Sequence, residues 1–112
     1  MKIVAVVLLV VAVLLFVMMR PKPDVSGEQA QKLVADGATL IDVRSEGEFS
    51  GGHIDGAANI PVGSLASRIS EIPKGKPVVL YCASGARSTR AAEMLKQKGY
   101  ERVHNLGAMA RW

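Results

Sequence analysis

One cysteine stands in the whole chain, Cys82, and the two histidines, His53 and His104, lie far apart. A single thiol excludes a C-x-x-C redox pair and an intramolecular resolving thiol. With no cluster of cysteine and histidine there is no ligand set for zinc, and neither a metal nor a cofactor is expected. A basic patch is also missing. The 112 residues carry 14 Lys and Arg against 10 Asp and Glu, and the pI is about 9.5. Three of those cations, Lys2, Arg20 and Lys22, flank an apolar N-terminal run. From Asp24 onward the charges nearly cancel, so nucleic acid is not expected as a partner. No internal repeat is present, and no low-complexity tract outside the apolar run.

That run, residues 3–19, carries no charge and no strongly polar side chain, and it accounts for most of the positive mean hydropathy of +0.23. As a helix it rises roughly 26 Å at about 1.5 Å per residue, near the ~30 Å of a hydrocarbon core, with Lys2 and Arg20 placed to snorkel. Its exit, Phe16-Val17-Met18-Met19-Arg20-Pro21, offers no A-x-A cleavage pattern, which favours an uncleaved anchor over a signal peptide. The sequence therefore predicts a transmembrane anchor over residues 1–20, a stiff linker over 21–24 containing Pro21 and Pro23, and one domain over 25–112. It also predicts a single-pass protein of the cell membrane that contacts the bilayer through residues 3–19. The flanking charges nearly balance, which leaves the side of the domain open, with a lean to the cytoplasm.

Within the domain, Ser26 with Gln29 and Ser45 with Glu48 have the spacing of capping boxes, opening one helix that ends at Asp36-Gly37 and a second, shorter one. Thr39–Val43, Ala57–Ile60, Val78–Tyr81 and Val103–Leu106 read as short buried strands. Leu65, Ile69 and Ile72 fall on one face of a helix ended by Pro73 and Gly75. Strands alternating with helices imply an α/β domain with a parallel sheet covered on both faces. Asp42 and Arg44 flank Val43, so in a strand both leave the same face, where they pair as ions and position the following turn. Tyr81 and Trp112 read as packing residues.

The chain is organised around Val78–Ser88, V-V-L-Y-C-A-S-G-A-R-S. An apolar strand runs into Cys82, then into a loop of small residues closed by Arg87, then into a helix from Ser88 to Lys98 that stops at Gly99. Loop amides and the first turn of such a helix point toward the sulfur, forming an anion site. A thiolate there is stabilised by unpaired N–H groups, by the positive end of the helix dipole and by Arg87, which lowers the thiol pKa from its free value of about 8.5. Cys82 is thus the candidate nucleophile. A buried, inert cysteine is the alternative reading, but the end of a parallel strand before a glycine-containing loop is where open α/β sheets place ligands.

Four motifs in order, Leu40-Ile41-Asp42-Val43-Arg44, Gly52-His53-Ile54-Asp55-Gly56-Ala57 with Asn59-Ile60-Pro61, the Cys82 loop, and Asn105-Leu106-Gly107 with Trp112, resemble the rhodanese-like domain over residues 25 to 112. The resemblance implies a five-stranded, mostly parallel sheet with helices on both faces. It also implies a sulfurtransferase in which Cys82 takes sulfane sulfur from thiosulfate or a persulfide, holds it as a persulfide, and passes it to a thiol, a protein sulfur acceptor or cyanide. Ala83, Ser84, Gly85, Ala86, Arg87 and Ser88 would bind the donor, and Asp42, Arg44 and His53 would support the site, with His53 hydrogen-bonded to backbone near Asp42 or Arg44. Two-domain thiosulfate enzymes of the family carry basic residues where this chain has Ser84 and Glu48, which weakens the case for a thiosulfate dianion as donor, with Arg87 as partial compensation. The terminal Gly107-Ala108 and the end at Trp112 predict a shortened last helix. Cysteine phosphatases are set aside because their loops resemble C-x5-R, one residue longer than Cys82 to Arg87. The alternative from another class is a membrane-tethered rhodanese-like binding or regulatory module without turnover, which is disfavoured by the retained cysteine.

Overall fold

The computed structural model describes residues 1–112, Met19 by its backbone alone. Helix α1, Lys2–Met19, ends at Arg20, whose extended backbone (φ −64°, ψ 143°) leads into Pro21. Its side chains are exposed from Ile3 (78%) to Met18 (69%). The helix has 18 residues, the first of them Lys2. Its uncharged part therefore rises about 26 Å, below the ~30 Å of a hydrocarbon core. Among the described residues no helix is long and apolar enough to cross a membrane. The expected transmembrane anchor, and with it the single-pass cell-membrane location, is corrected on that ground.

From Gly27 on, the chain alternates helix and strand. Helix α2 (Gly27–Ala35) and strand β1 (Thr39–Asp42) are followed by α3 (Glu46–Ser50) and β2 (Ala58–Asn59). A 3-10 turn at Val62–Ser64 leads into α4 (Leu65–Arg68), then come β3 (Val78–Cys82), α5 (Ala86–Gln97), β4 (Val103–Ala108) and a closing 3-10 turn at Met109–Arg111. Both capping boxes form: Ser26 and Ser45 accept from the backbone N–H groups of Gln29 and Glu48, whose side chains reach back to the cap N–H groups. The four strands are parallel in the order β2-β1-β3-β4. Alternation along β3 sorts the core: Val78, Leu80 and Cys82 face a cluster with Leu65, Ala91, Ala92 and Leu95, while Val79 and Tyr81 face a second with Ala30, Leu40 and Leu106. Helices thus cover both faces.

The sheet has four strands where five were expected. Along the outer edge of β4 the chain from Lys22 to Val25 takes the place of a fifth, but only one backbone bond forms there, from Asp24 N–H to Asn105 O (2.9 Å). Pro21 and Pro23 have no N–H to give. The Asn105 N–H is taken instead by the Asp24 side chain (2.7 Å), so the edge is closed by a carboxylate rather than by a ladder.

The expected helix through Leu65, Ile69 and Ile72 also breaks, into α4 and a 3-10 turn at Ile69–Glu71. In an α-helix the Ile69 carbonyl would need the N–H of Pro73, which does not exist. The Tyr100 hydroxyl serves that end of the chain, lying 3.0 Å from Ile69 O and 2.6 Å from Ile72 O.

At the C-terminal end of β1, Asp42 and Arg44 meet as the spacing predicted. Arg44 Nε lies 3.0 Å from both carboxylate oxygens and Nη2 2.7 Å from Oδ2, with Asp42 fully buried and Arg44 nearly so. Arg44 Nη2 also donates to Gly52 O (2.7 Å), and Asn59 Nδ2 bridges the carbonyls of Asp42 and Arg44 (3.0 Å each). These bonds fix the corner from which α3 departs. Asp42→Ala leaves Arg44 buried without its partner, and urea unfolding should show a loss of about 3–5 kcal/mol.

Candidate functional site

Strand β3 turns into α5 over Ala83, Ser84 and Gly85. The turn needs Gly85, the helix N-cap, because its backbone lies at φ +103°. The result aims amides at the sulfur: Gly85 N–H donates to Cys82 Sγ at 3.0 Å and Ser88 N–H at 3.4 Å, at the positive end of a 12-residue helix. The Ser88 hydroxyl lies 3.6 Å from Sγ. Burial pushes the thiol pKa up, yet hydrogen bonding with the amide and side chain of Ser88 and with the Gly85 and Ser84 amides outweighs it, and the thiol sits below its ordinary value.

Cys82 has no exposed surface (0%), whereas Ala83, Ser84 and Ala86 above it are exposed. The site lies where the strand order reverses: β1 continues outward to β2 and β3 outward to β4, so the chains leaving β1 and β3 diverge at their C-terminal ends, the place where open α/β sheets take ligands.

The loop is held from behind by Ser88 together with Thr89 and Asn105, the last two of which the sequence reading gave no role in the site. Gly85 O accepts from Thr89 N (3.0 Å), Thr89 Oγ1 (2.7 Å) and Ser88 Oγ (3.1 Å). Thr89 Oγ1 in turn accepts from Lys22 N (2.9 Å) and Asn105 Nδ2 (3.0 Å), and Asn105 Oδ1 accepts from Gly107 N (3.0 Å). A Cβ on Gly85 would lie 2.9 Å from Pro21 Cβ, and one on Gly107 3.2 Å from Pro23 Cβ. The stretch read as a linker therefore braces the loop. The one sequence signal was Thr89 itself, a hydroxyl in the first turn of a helix where it can bond the carbonyl four residues back.

Arg87 leaves the first turn of α5 toward α3. Its guanidinium grips Glu48 with Nη1 to Oε1 at 2.7 Å and Nη2 to Oε2 at 3.0 Å, a bidentate pair in which each side chain is 37% exposed. That hydrogen bond, aided by the Ser45 backbone and hydroxyl, holds the Glu48 carboxyl down at about 2. Glu48 thus occupies the guanidinium that the sequence offered to the donor.

Asp42 and Arg44 sit beneath this corner, Arg44 Cζ lying 5.8 Å from the centre of the Tyr81 ring. Tyr81 is fully buried; its hydroxyl accepts from Ile54 N (3.1 Å), and burial first of all pushes its pKa up to about 12. His53 departs from expectation: its Nδ1 pairs with Phe49 O at 2.9 Å and its ring stacks on Phe49 at 3.6 Å, not on backbone near Asp42 or Arg44. The i, i+4 spacing of Phe49 and His53 carries the chain out of α3 and brings the rings together. His104 lies half-buried on β4 near Asp24, Lys32 and Asp36, facing α2 and away from the loop.

A parallel α/β sheet with a cysteine cradled by backbone amides at its switch point defines the class of a cysteine-dependent group-transfer domain. Residues 26–112 match the profile of the rhodanese-like domain, and the chain belongs to that family. It is 50% identical over 76 residues to the uncharacterised protein YqhL of Bacillus subtilis, covering 67% of this chain and 60% of that one. It is 40% identical over 92 residues to a sulfurtransferase of Allochromatium vinosum, 80% of this chain and 86% of that one. Among solved structures, the human single-domain sulfurtransferase TSTD1 superposes with a TM-score of 0.66 at 32% identity, over 81% of this chain and 92% of that one. The domain is of the rhodanese sulfurtransferase type.

Because amides set the thiol, its alkylation by iodoacetamide should follow a pH profile with an inflection below that of a free cysteine. Gly85→Ala, which forces a side chain into a left-handed backbone and against Pro21, should move that inflection upward and slow the reaction at neutral pH. An unmoved profile would mean that the Gly85 amide does not govern the sulfur.

Proposed function

We propose that the chain moves sulfane sulfur through a persulfide on Cys82. The observation that carries the reading is the pair of N–H groups, from Gly85 and Ser88, on Cys82 Sγ (3.0 and 3.4 Å). Donors fixed on a sulfur anion stabilise the thiolate before attack and the anionic persulfide after it. In the first half-reaction Cys82–S⁻ attacks the outer sulfur of R–S–SH. The new S–S bond forms as the old one breaks, and R–S⁻ leaves with the electron pair, giving Cys82–S–SH. In the second half-reaction an acceptor thiolate, or cyanide, attacks the outer sulfur of Cys82–S–SH, and Cys82–S⁻ leaves. Thiosulfate enters the same scheme with sulfite as leaving group. Ala83 to Ser88 supply the wall that the donor meets. Asp42 and Arg44 hold the corner beside that wall, and His53 stiffens the end of α3 through Phe49. Residues 25–112 form the unit that carries the chemistry, braced by residues 21–24.

The test is intact mass of the full chain after incubation with thiosulfate or with a low-molecular-weight persulfide. Wild type should gain one sulfur atom, lost on treatment with cyanide or thiol, and Cys82→Ala should gain none. No added sulfur from any donor would replace this reading with the binding module that does not turn over.

A further inference from the structure

Within the sulfur-transfer reading, the charge at the mouth of the loop bears on which donor is accepted. The Gly85 and Ser88 amides are committed to Sγ, so a donor carrying charge beyond its reacting sulfur gains from any side-chain cation at the mouth. Arg87 is the side-chain cation closing the loop, and both of its terminal nitrogens are committed to Glu48. Glu48 is not free to swing away. Its Oε1 accepts from Ser45 N (3.2 Å) and Ser45 Oγ (3.0 Å), and the opening of α3 is fixed by the same capping box. The start of α3 is in turn tied to the buried pair at Asp42 and Arg44. The carboxyl, held at about 2, stays ionised throughout the neutral range.

The geometry points to Glu48 as the residue that sets donor specificity, acting through Arg87 to disfavour dianions such as thiosulfate and to favour persulfides whose charge is confined to the reacting sulfurs. A dianion reaching the cysteine meets an ion pair with no net positive charge, and it competes for the guanidinium with a carboxylate anchored at two further points. A persulfide asks for nothing beyond the amides, because the charge it brings and the thiolate it releases stay on sulfur. Glu48 is a positioning residue: it touches Arg87 and not the reacting atoms.

The experiment compares kcat/KM for thiosulfate with that for the persulfide of N-acetylcysteine methyl ester, a donor with no carboxylate, in the full chain. Wild type should prefer the persulfide. Glu48→Gln frees Arg87 at nearly constant shape and should raise the thiosulfate-to-persulfide ratio by up to about fivefold, the scale of one partly exposed ion pair. The change should fall mainly on the KM for thiosulfate, and added salt should slow the thiosulfate reaction more steeply than in wild type. Glu48→Asp, which keeps the charge, should stay near the wild-type ratio. An unchanged ratio in Glu48→Gln, or equal slowing with both donors, overturns the inference, the second because Glu48 would then only shape the loop. If Glu48→Gln does not fold, Arg87→Gln decides: with Glu48 left unpaired at the mouth the ratio should drop below wild type, and an unchanged ratio overturns the inference. No sulfur gained by wild type from either donor overturns the persulfide reading itself, and the selectivity built on it.

Discussion

The sulfur of Cys82 is held by backbone amides, and the rest of the site depends on that arrangement. Two N–H groups can converge on one atom only if the strand ends at the cysteine, the chain reverses within three residues, and a helix begins at once. Each condition is met by a separate device. Parallel pairing of β3 with β1 on one side and β4 on the other buries the strand and fixes where it stops. Gly85 supplies the left-handed backbone that an ordinary residue resists. Helix α5 brings its unpaired first-turn amides to bear on the sulfur.

Because amide donors are fixed by backbone geometry, the loop tolerates little displacement, and the surrounding bonds are spent on holding it still. Gly85 O accepts three hydrogen bonds from Ser88 and Thr89. Asn105, through Thr89 and Lys22, ties together three segments distant in sequence: β4, α5 and the stretch before α2. A bulge in β4 opposite Leu80 and Tyr81 brings Gly107 alongside the loop, where its lack of a side chain leaves room for Pro23. Residues 21–24 are thus structural parts of the domain's edge, which their composition as a proline-rich stretch did not reveal.

Charge is arranged with equal economy. Of the two ion pairs near the site, the buried one, Asp42 with Arg44, orients the corner after β1. The half-exposed one, Arg87 with Glu48, joins the first turn of α3 to the first turn of α5 across that corner. The cysteine keeps a lowered pKa through hydrogen bonds to its own loop while the Arg87 guanidinium is engaged by Glu48.

Local chemistry was legible in the chain itself. The α/β class, the four short strands, both capping boxes, the pairing of Asp42 with Arg44 and the strand-loop-helix around Cys82 all follow from spacing and residue type over a few positions. What depends on distant contacts was not. The fifth strand, which came from family resemblance, is replaced by a single bond and the Asp24 carboxylate, because two prolines interrupt the edge. The helix after Leu65 breaks for want of an N–H at Pro73, and the carbonyls left over are served by Tyr100, 28 residues or more away. The apolar N-terminal run forms the expected helix, but its length falls short of a crossing. Sequence placed a cation in the loop; only the fold decided that Arg87 would spend it on Glu48, 39 positions earlier. Hydrogen-bonding needs within a turn are written in neighbouring residues, whereas the partner of a charge is settled by which elements the sheet brings side by side.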